Sequence, residues 1–240
     1  MLPTLQGDDV FSIADLLKLA QLCNATYILP DNKTVVESLD MTYVADLMDK
    51  SCPVTIALWG GFKVCAFQGT RVIENLDIVE LWDDVNGNIV HLDGMRVHAG
   101  FYKPLAEMMP NVINIMNTLP GQPLITGHSL GGVRSHLAKA FFSTAQIVSF
   151  GAPKGADDAF WSHYYPDYPP TRVVHEKDFA PGWPYDGPWT QPSKLTWLHE
   201  GNISIVENRG SGMQISISDH SIDKGYIAAL TLLSQSQVIL

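Results

Sequence analysis

A serine framed by glycines, between an apolar segment and an amphipathic one, constrains this chain more than any other feature. Residues 127–132 read Gly-His-Ser-Leu-Gly-Gly, after the apolar residues 123–126 and before apolar residues at helical spacing. A Gly-x-Ser-x-Gly turn between a strand and a helix is typical of a nucleophile elbow, which is too sharp for side chains at the glycine positions. Such an elbow exposes the Ser129 hydroxyl at a helix N-terminus, where backbone N–H groups stabilise negative charge. A plain glycine-rich connection is the alternative; a phosphate-binding loop would need a neighbouring Lys, which is absent.

The order of the remaining segments predicts a mixed α/β sheet. Strand-like and helix-like segments alternate after residue 90, which favours a mostly parallel sheet with helices on both faces. Two earlier apolar runs flank Gly60-Gly61 and predict an antiparallel N-terminal hairpin. The predicted helices span 9–26, 37–49, 104–119, 130 to about 142, and 221–233. The predicted strands span 54–59, 62–68, 123–126, 146–150, 171–176, 195–198 and 203–206. Several prolines within 178–193 predict an irregular loop, and we expect one domain over residues 1–240.

Composition and charge exclude several classes of protein. The net charge of −10 argues against nucleic-acid binding, disfavours anionic membrane surfaces and suits neutral substrates. No run approaches the roughly 18 apolar residues of a transmembrane helix. Residues 1–9 lack the basic start and apolar core of a secretory signal, so none is expected within this sequence.

The cysteines do not form a disulfide framework. Cys23, Cys52 and Cys65 are odd in number, and buried free thiols are the preferred interpretation. Cys52 and Cys65 flank the predicted hairpin, which leaves one bridge between them open. No Cys or His group has zinc-ligand spacing, so we expect no metal.

A nucleophilic serine needs a base, and the base needs an orienting carboxylate. In sheets with an elbow these follow in the chain order Ser, Asp or Glu, then His. Asp178 comes shortly after the predicted strand 171–176 and is the preferred acid, although a turn-forming Asp is the alternative. Asp157 and Asp158 are instead typical of helix caps.

The preferred base is His220, in the polar loop 218–221 just before the last predicted helix, and His199 is the second choice. His128 and His136 lie close to Ser129 in sequence but are expected to point away from it. The other four histidines are expected to be surface or structural residues: His91, His98, His163 and His175.

Two donors are needed for the oxyanion of an ester-cleavage intermediate. The N–H of Leu130, directly after the nucleophile, is one candidate. Thr70, after the second hairpin strand, offers both an N–H and a hydroxyl. A simple Gly-Thr turn is the alternative interpretation of that segment.

Six segments in this order resemble the class 3 lipase family, the fungal-type triacylglycerol lipases and their feruloyl esterase relatives. The similar segments are 67–70, 97–101, 125–132, 149–153, 172–178 and 219–220, within a resemblance over about residues 50–235. The resemblance implies an α/β-hydrolase fold, no cofactor, and secretion. Position by position, it implies a triad of Ser129, Asp178 and His220 and an oxyanion hole of Thr70 and Leu130. The chain departs from the family pattern at Gln68, where Arg is usual, at Leu76, where Trp is frequent, and around Lys154-Gly155.

The family resemblance also suggests a lid and a substrate. Residues 73–85 carry an amphipathic pattern, and in the family this region covers many active sites; a helix packed on the core is the alternative. The expected activity is hydrolysis of a neutral ester, foremost an acylglycerol, including at a lipid–water interface. Feruloyl esters, short-chain esters and phospholipids are alternatives on the same machinery. A peptidase or an inactive hydrolase-fold binding protein is less favoured, and the oligomeric state is open.

Overall fold

The computed structural model describes residues 11–49, 51–71, 88–207 and 216–237. The strands are β1 (Thr42–Leu47), β2 (Val54–Trp59), β3 (Phe62–Phe67), β4 (Ile89–Leu92), β5 (Met95–His98), β6 (Gln122–His128), β7 (Gln146–Phe150), β8 (Thr171–His175), β9 (Lys194–His199) and β10 (Asn202–Glu207). The α-helices are α1 (Ile13–Ala25), α2 (Lys33–Ser38), α3 (Ala99–Met116), α4 (Leu130–Leu137), α5 (Asp158–Tyr164) and α6 (Ala228–Gln237). A π-helical segment, Ile222–Ile227, leads directly into α6.

The main sheet has the order β1-β2-β3-β6-β7-β8-β9-β10. Strands β3, β6, β7, β8 and β9 are parallel, whereas β1, β2 and β3 form an antiparallel meander and β10 pairs antiparallel with β9. This confirms the predicted mixed, mostly parallel sheet. Because parallel strands end at one edge, the loops after β3, β6 and β8 converge there.

Each face of the sheet has its own apolar core. Along β3, Cys65 and Phe67 face the core beneath α3 and α4, whereas Val64 and Ala66 face the core beneath α1 and α6. This alternation follows from the two-residue period of a strand. Because both faces are buried, the sequences of the strands are nearly continuous apolar runs. The two cores also confirm the prediction of helices on both faces of the sheet.

One predicted helix is wrong. Residues 37–49 contain the end of α2, at Ser38, and then strand β1, which begins at Thr42. Strand β1 pairs with β2 across Ala45 and Ile56. Pairing with an already apolar hairpin outweighed the weak helical pattern of this segment, because strand stability depends on cross-strand partners.

Several helix boundaries also differ from the prediction, most clearly those of α3 and α4. Helix α3 begins at Ala99, and Pro104, which was expected to start it, lies inside it together with Pro110. The elbow helix α4 ends at Leu137 and continues as a 3-10 turn, Ala138–Ala140. Pro104 was misleading because proline favours the first turn of a helix but does not exclude a longer one.

The three cysteines are free and buried, so Cys52 and Cys65 do not form a bridge. Among the described residues, no helix is long and apolar enough to cross a membrane. Over the same part of the chain, no cluster of three His, Cys, Asp or Glu side chains could hold a metal ion. The predicted lid, 73–85, falls outside the described residues.

Candidate active site

Ser129 occupies a strained turn between β6 and α4. Its φ and ψ are 58° and −126°, in a region that non-glycine residues rarely adopt, at a cost of roughly 1–3 kcal/mol. A methyl group at Gly127 would overlap the backbone of Gly131, and one at Gly131 would overlap the carbonyl oxygen of Phe67. Both glycines are therefore required by close backbone approach, and residues 127–132 form the predicted elbow.

The His220 ring lies between Ser129 and Asp178. Its Nε2 is 2.9 Å from Ser129 Oγ, and its Nδ1 is 2.9 Å and 3.0 Å from the two carboxylate oxygens of Asp178. All three residues are buried. Since an ionised carboxylate only accepts, Nδ1 carries the hydrogen, and the Nε2 lone pair is left to accept from the serine hydroxyl. This is the tautomer that a general base requires.

The Asp178 carboxylate is held by donors from two further groups. Tyr226 Oη donates to Oδ2 at 2.5 Å, and the Ala180 N–H donates to Oδ1 at 2.8 Å. Burial alone raises the pKa of Asp178, but the positive charge available on His220 and these hydrogen bonds lower it below its ordinary value. Asp178 therefore remains an anion inside the protein.

One predicted oxyanion donor, Leu130, lies within the elbow, and the other, Thr70, follows the neighbouring strand β3. Leu130 is the first residue of α4, whose N-terminal N–H groups lack partners within the helix. Thr70 is half-buried and follows Gly69, where a methyl group would overlap the carbonyl oxygen of His128. The end of β3 thus brings the segment 68–70 against the elbow.

A family model described as Lipase (class 3) matches residues 64–187, just over half of the chain. The chain belongs to the class 3 lipase family. The matched range contains Thr70, Ser129 and Asp178, and it ends before His220.

Individual relatives are fungal lipases. A lipase of Rhizopus niveus is 27% identical over 172 residues, which cover 64% of this chain and 41% of that protein, and a lipase of Rhizopus oryzae gives the same figures. The chain therefore spans about two fifths of the length of the curated relatives it matches.

Solved lipase structures share the fold. A lipase from Rhizopus microsporus var. chinensis superposes with a TM-score of 0.73 at 20% identity and covers 91% of both chains. The triacylglyceride lipase of Rhizomucor miehei gives a TM-score of 0.71 at 18% identity, over 87% of this chain and 92% of that chain. These similarities confirm the α/β-hydrolase fold expected of the family.

The rejected candidates have structural partners elsewhere. His199 Nδ1 lies 2.6 Å from Glu176, and its ring stacks on Trp197 with centroids 4.1 Å apart. Asp157 caps α5, as its position in the sequence predicted, and pairs with Arg96 at 2.9 Å. His136, expected to point away from Ser129, is hydrogen-bonded to Ser149 on β7 at 2.8 Å.

His128 is hydrogen-bonded to Tyr27 and to the carbonyl of His220, and the expectation that it points away from Ser129 stays a prediction. Its proximity to His220 was missed. The two ring centroids are 4.7 Å apart, so His128 is a neighbour of the proposed base. Tyr226 was also missed, because a contact 48 residues from Asp178 leaves no local pattern in the sequence.

Proposed function

We propose that this protein is a serine carboxylic-ester hydrolase, with Ser129 as nucleophile, His220 as general base and Asp178 as the orienting anion. The observation that carries the proposal is the unbroken hydrogen-bonded series from Ser129 Oγ through His220 to Asp178, with both links at 2.9 Å. The series is seated on an elbow that only glycines at 127 and 131 permit.

In the acylation step, His220 Nε2 takes the hydroxyl proton as Ser129 Oγ attacks the ester carbonyl. Asp178 stabilises the resulting imidazolium, while the N–H groups of Thr70 and Leu130 donate to the oxyanion. His220 then gives the proton to the leaving alcohol, and the acyl group remains on Ser129.

Deacylation repeats these roles with water. His220 takes a proton from the water as it attacks the acyl carbonyl, and the second oxyanion forms in the same place. Collapse of this intermediate breaks the bond to Ser129 Oγ, returns the proton to that oxygen and releases the carboxylic acid.

The proposed substrate class is the neutral acylglycerols, taken up at a lipid–water interface. Membership of the class 3 lipase family supports the acyl substrate, and the net charge of −10 favours a neutral one. A fungal lipase–inhibitor complex with a TM-score of 0.68 is the subject of a model for interfacial activation. Ile217, three residues before His220, is 53% exposed and offers apolar surface beside the triad. Secretion stays a prediction from the family resemblance.

Replacement of the nucleophile tests the reaction. We expect Ser129→Ala to abolish covalent labelling by a fluorophosphonate and to reduce ester hydrolysis by at least about a thousandfold, the scale expected when a triad member is removed. Ser135→Ala is the matched control, because Ser135 is equally buried, lies on α4 and bonds only to the Gly132 carbonyl among the described residues. Labelling that persists without Ser129 would contradict the assignment.

Relative rates then test the substrate class. Rates on tributyrin, triolein, methyl ferulate and phosphatidylcholine, each measured below and above the concentration at which it aggregates, separate the alternatives. Preference for triolein with a rise at aggregation supports an interfacial lipase. Preference for methyl ferulate or phosphatidylcholine would contradict the acylglycerol class, and hydrolysis of tributyrin without a rise at aggregation would contradict uptake at an interface. Either result would leave the hydrolytic mechanism intact.

A further inference from the structure

We propose that Tyr27 and His128 are positioning residues. They fix the backbone of His220 and hold it at a defined distance from the elbow and from the segment 68–70. The inference rests on the proposed function, since it explains how the triad keeps its geometry. Neither residue touches the reacting atoms.

The hydrogen bonds of His128 permit only one arrangement of its proton. Its Nε2 lies 2.8 Å from the backbone carbonyl oxygen of His220, which can only accept, so Nε2 carries the hydrogen. Its Nδ1 lies 2.8 Å from Tyr27 Oη and accepts the phenolic proton. The series therefore runs in one direction, from Tyr27 to His128 to the His220 carbonyl.

His128 is kept neutral in this arrangement. Burial is the main cause that lowers its pKa to about 3, with a smaller contribution from the nearby His220. Burial also raises the pKa of Tyr27, so its hydroxyl keeps the proton that it donates. A neutral His128 does not repel the imidazolium that forms on His220 during catalysis, although the two ring centroids are 4.7 Å apart.

The same pair contacts the segment that carries Thr70. A methyl group on Gly69 would overlap both Tyr27 Oη and the carbonyl oxygen of His128. One residue earlier, the Gln68 side-chain amide donates to the carbonyl of Thr26. The neighbourhood of Tyr27 thus anchors the segment 68–70 through direct contact at two consecutive residues.

Three segments distant in the sequence meet at this pair. Tyr27 is 101 residues from His128, and His128 is 92 residues from the carbonyl of His220. The elbow needs no help to place Ser129, because its own backbone is fixed by close packing. The loop that presents His220 is held on β8 through Asp219, whose carbonyl oxygen lies 3.1 Å from His175 Nδ1. The bond from His128 adds a second attachment, at His220 itself, and it ties that residue to the elbow.

Substitutions that remove the bond should slow the chemical step and leave substrate binding intact. We expect His128→Leu to lower kcat about 30- to 100-fold with KM changed by less than about threefold, because a displacement near 1 Å at a catalytic group costs about a hundredfold. Tyr27→Phe, a milder change that keeps the ring, should lower kcat about fivefold to tenfold.

Conservative rescue separates positioning from packing. In His128→Gln, the amide nitrogen can donate to the His220 carbonyl and the amide oxygen can accept from Tyr27. We expect this variant to recover at least about tenfold of the kcat lost in His128→Leu. The matched controls are His136→Leu and Tyr165→Phe, which alter a second buried His and Tyr pair, joined by a 2.8 Å bond from Tyr165 Oη to the His136 carbonyl. Both controls should keep kcat within about twofold.

Nitrogen-15 NMR of the histidine side chains provides a readout independent of activity. We expect His128 to show the neutral form with hydrogen on Nε2, unchanged between pH 5 and 8. Titration of His128 in that range, or hydrogen on Nδ1, would overturn the proposal. Equal kcat values for His128→Leu and wild type, or no difference between the Leu and Gln variants, would do the same. Failure of the proposed function is distinct, because wild-type protein would then lack Ser129 labelling altogether.

Discussion

Asp178 accepts hydrogen bonds from His220, Tyr226 and the Ala180 backbone, and the bond from Tyr226 Oη, at 2.5 Å, is the shortest of them. A hydrogen bond to a buried carboxylate disperses its negative charge, so the phenol reduces the field that Asp178 exerts on His220. Tyr226 thereby helps to keep Asp178 ionised and also holds it in place.

Removal of that phenol should change the pH dependence of the reaction. The hydrogen bond from Tyr226 is one of the causes that lower the pKa of Asp178, so its loss in Tyr226→Phe raises that pKa. Asp178 then takes up a proton, and loses its orienting charge, at a higher pH. The acid limb of the kcat/KM profile should therefore move about half a pH unit or more to higher pH. Tyr165→Phe, which loses a phenol outside the triad, should leave the limb in place; a limb unmoved in both variants would refute this role of Tyr226.

Among individual residues, the sequence predicted those of the proposed triad, because nucleophile, acid and base follow one another in a fixed order along chains with an elbow. Ser129, Asp178 and His220 come together as that order requires, and the structure brings all three within hydrogen-bonding distance. Tyr27, His128 and Tyr226 could not be predicted in the same way. Their roles depend on which loops pack against each other, and neither spacing nor residue type records that contact.

At the scale of elements, the elbow joins three of them through backbone contact. Helix α4 approaches the end of β3 so closely that Gly131 leaves no room for a side chain beside the Phe67 carbonyl. This contact also sets the distance between Leu130, on α4, and Thr70, three residues after β3. The geometry of the proposed oxyanion hole is thus determined by helix–strand packing.

A single methyl group should disturb that packing. We expect Gly131→Ala to lower the free energy of unfolding by about 3 kcal/mol, because the atoms it meets belong to a backbone that cannot rotate away. Ester hydrolysis should fall as well, since α4 and β3 must separate. Urea unfolding and initial rates measure the two effects. Gly182→Ala is the control, because its methyl group would meet only Tyr185, at an ordinary 3.6 Å; equal stability of the two variants would contradict the packing argument.

Elements defined by strong local patterns were predicted well. The hairpin β2–β3 and strand β7 match their predicted bounds within one residue, since apolar runs flanked by turn residues leave few alternatives. Strand β1 was missed, although the other edge strand, β10, was predicted, because residues 42–47 follow closely on α2 and share the weak helical pattern of 37–49. Its partner β2, distant by several residues, decides its conformation.

At the scale of the whole molecule, the covering of both sheet faces leaves several histidines buried and out of contact with water. His98, His128 and His136 are almost fully buried, and burial lowers their pKa values from 6.5 to about 4, 3 and 3. In the unfolded chain these same histidines titrate near their ordinary pKa of about 6.5. The difference makes the stability of the fold depend on pH.

Acidification should therefore destabilise the protein well above the range in which carboxylates titrate. Above pH 6.5 all three histidines are neutral in both states and the fold keeps its full stability. As the pH falls below 6.5 only the unfolded state takes up protons, so each histidine costs up to about 1.4 kcal/mol per pH unit, until the folded pKa values near 4 and 3 are reached. Urea unfolding between pH 7.5 and 5 should show this slope. His136→Leu should reduce the slope by about one third, because one of the three titrating groups is gone. A free energy of unfolding that is the same at pH 7.5 and pH 5 would show that these histidines are protonated within the fold, and that the interior is more open to water than its packing indicates.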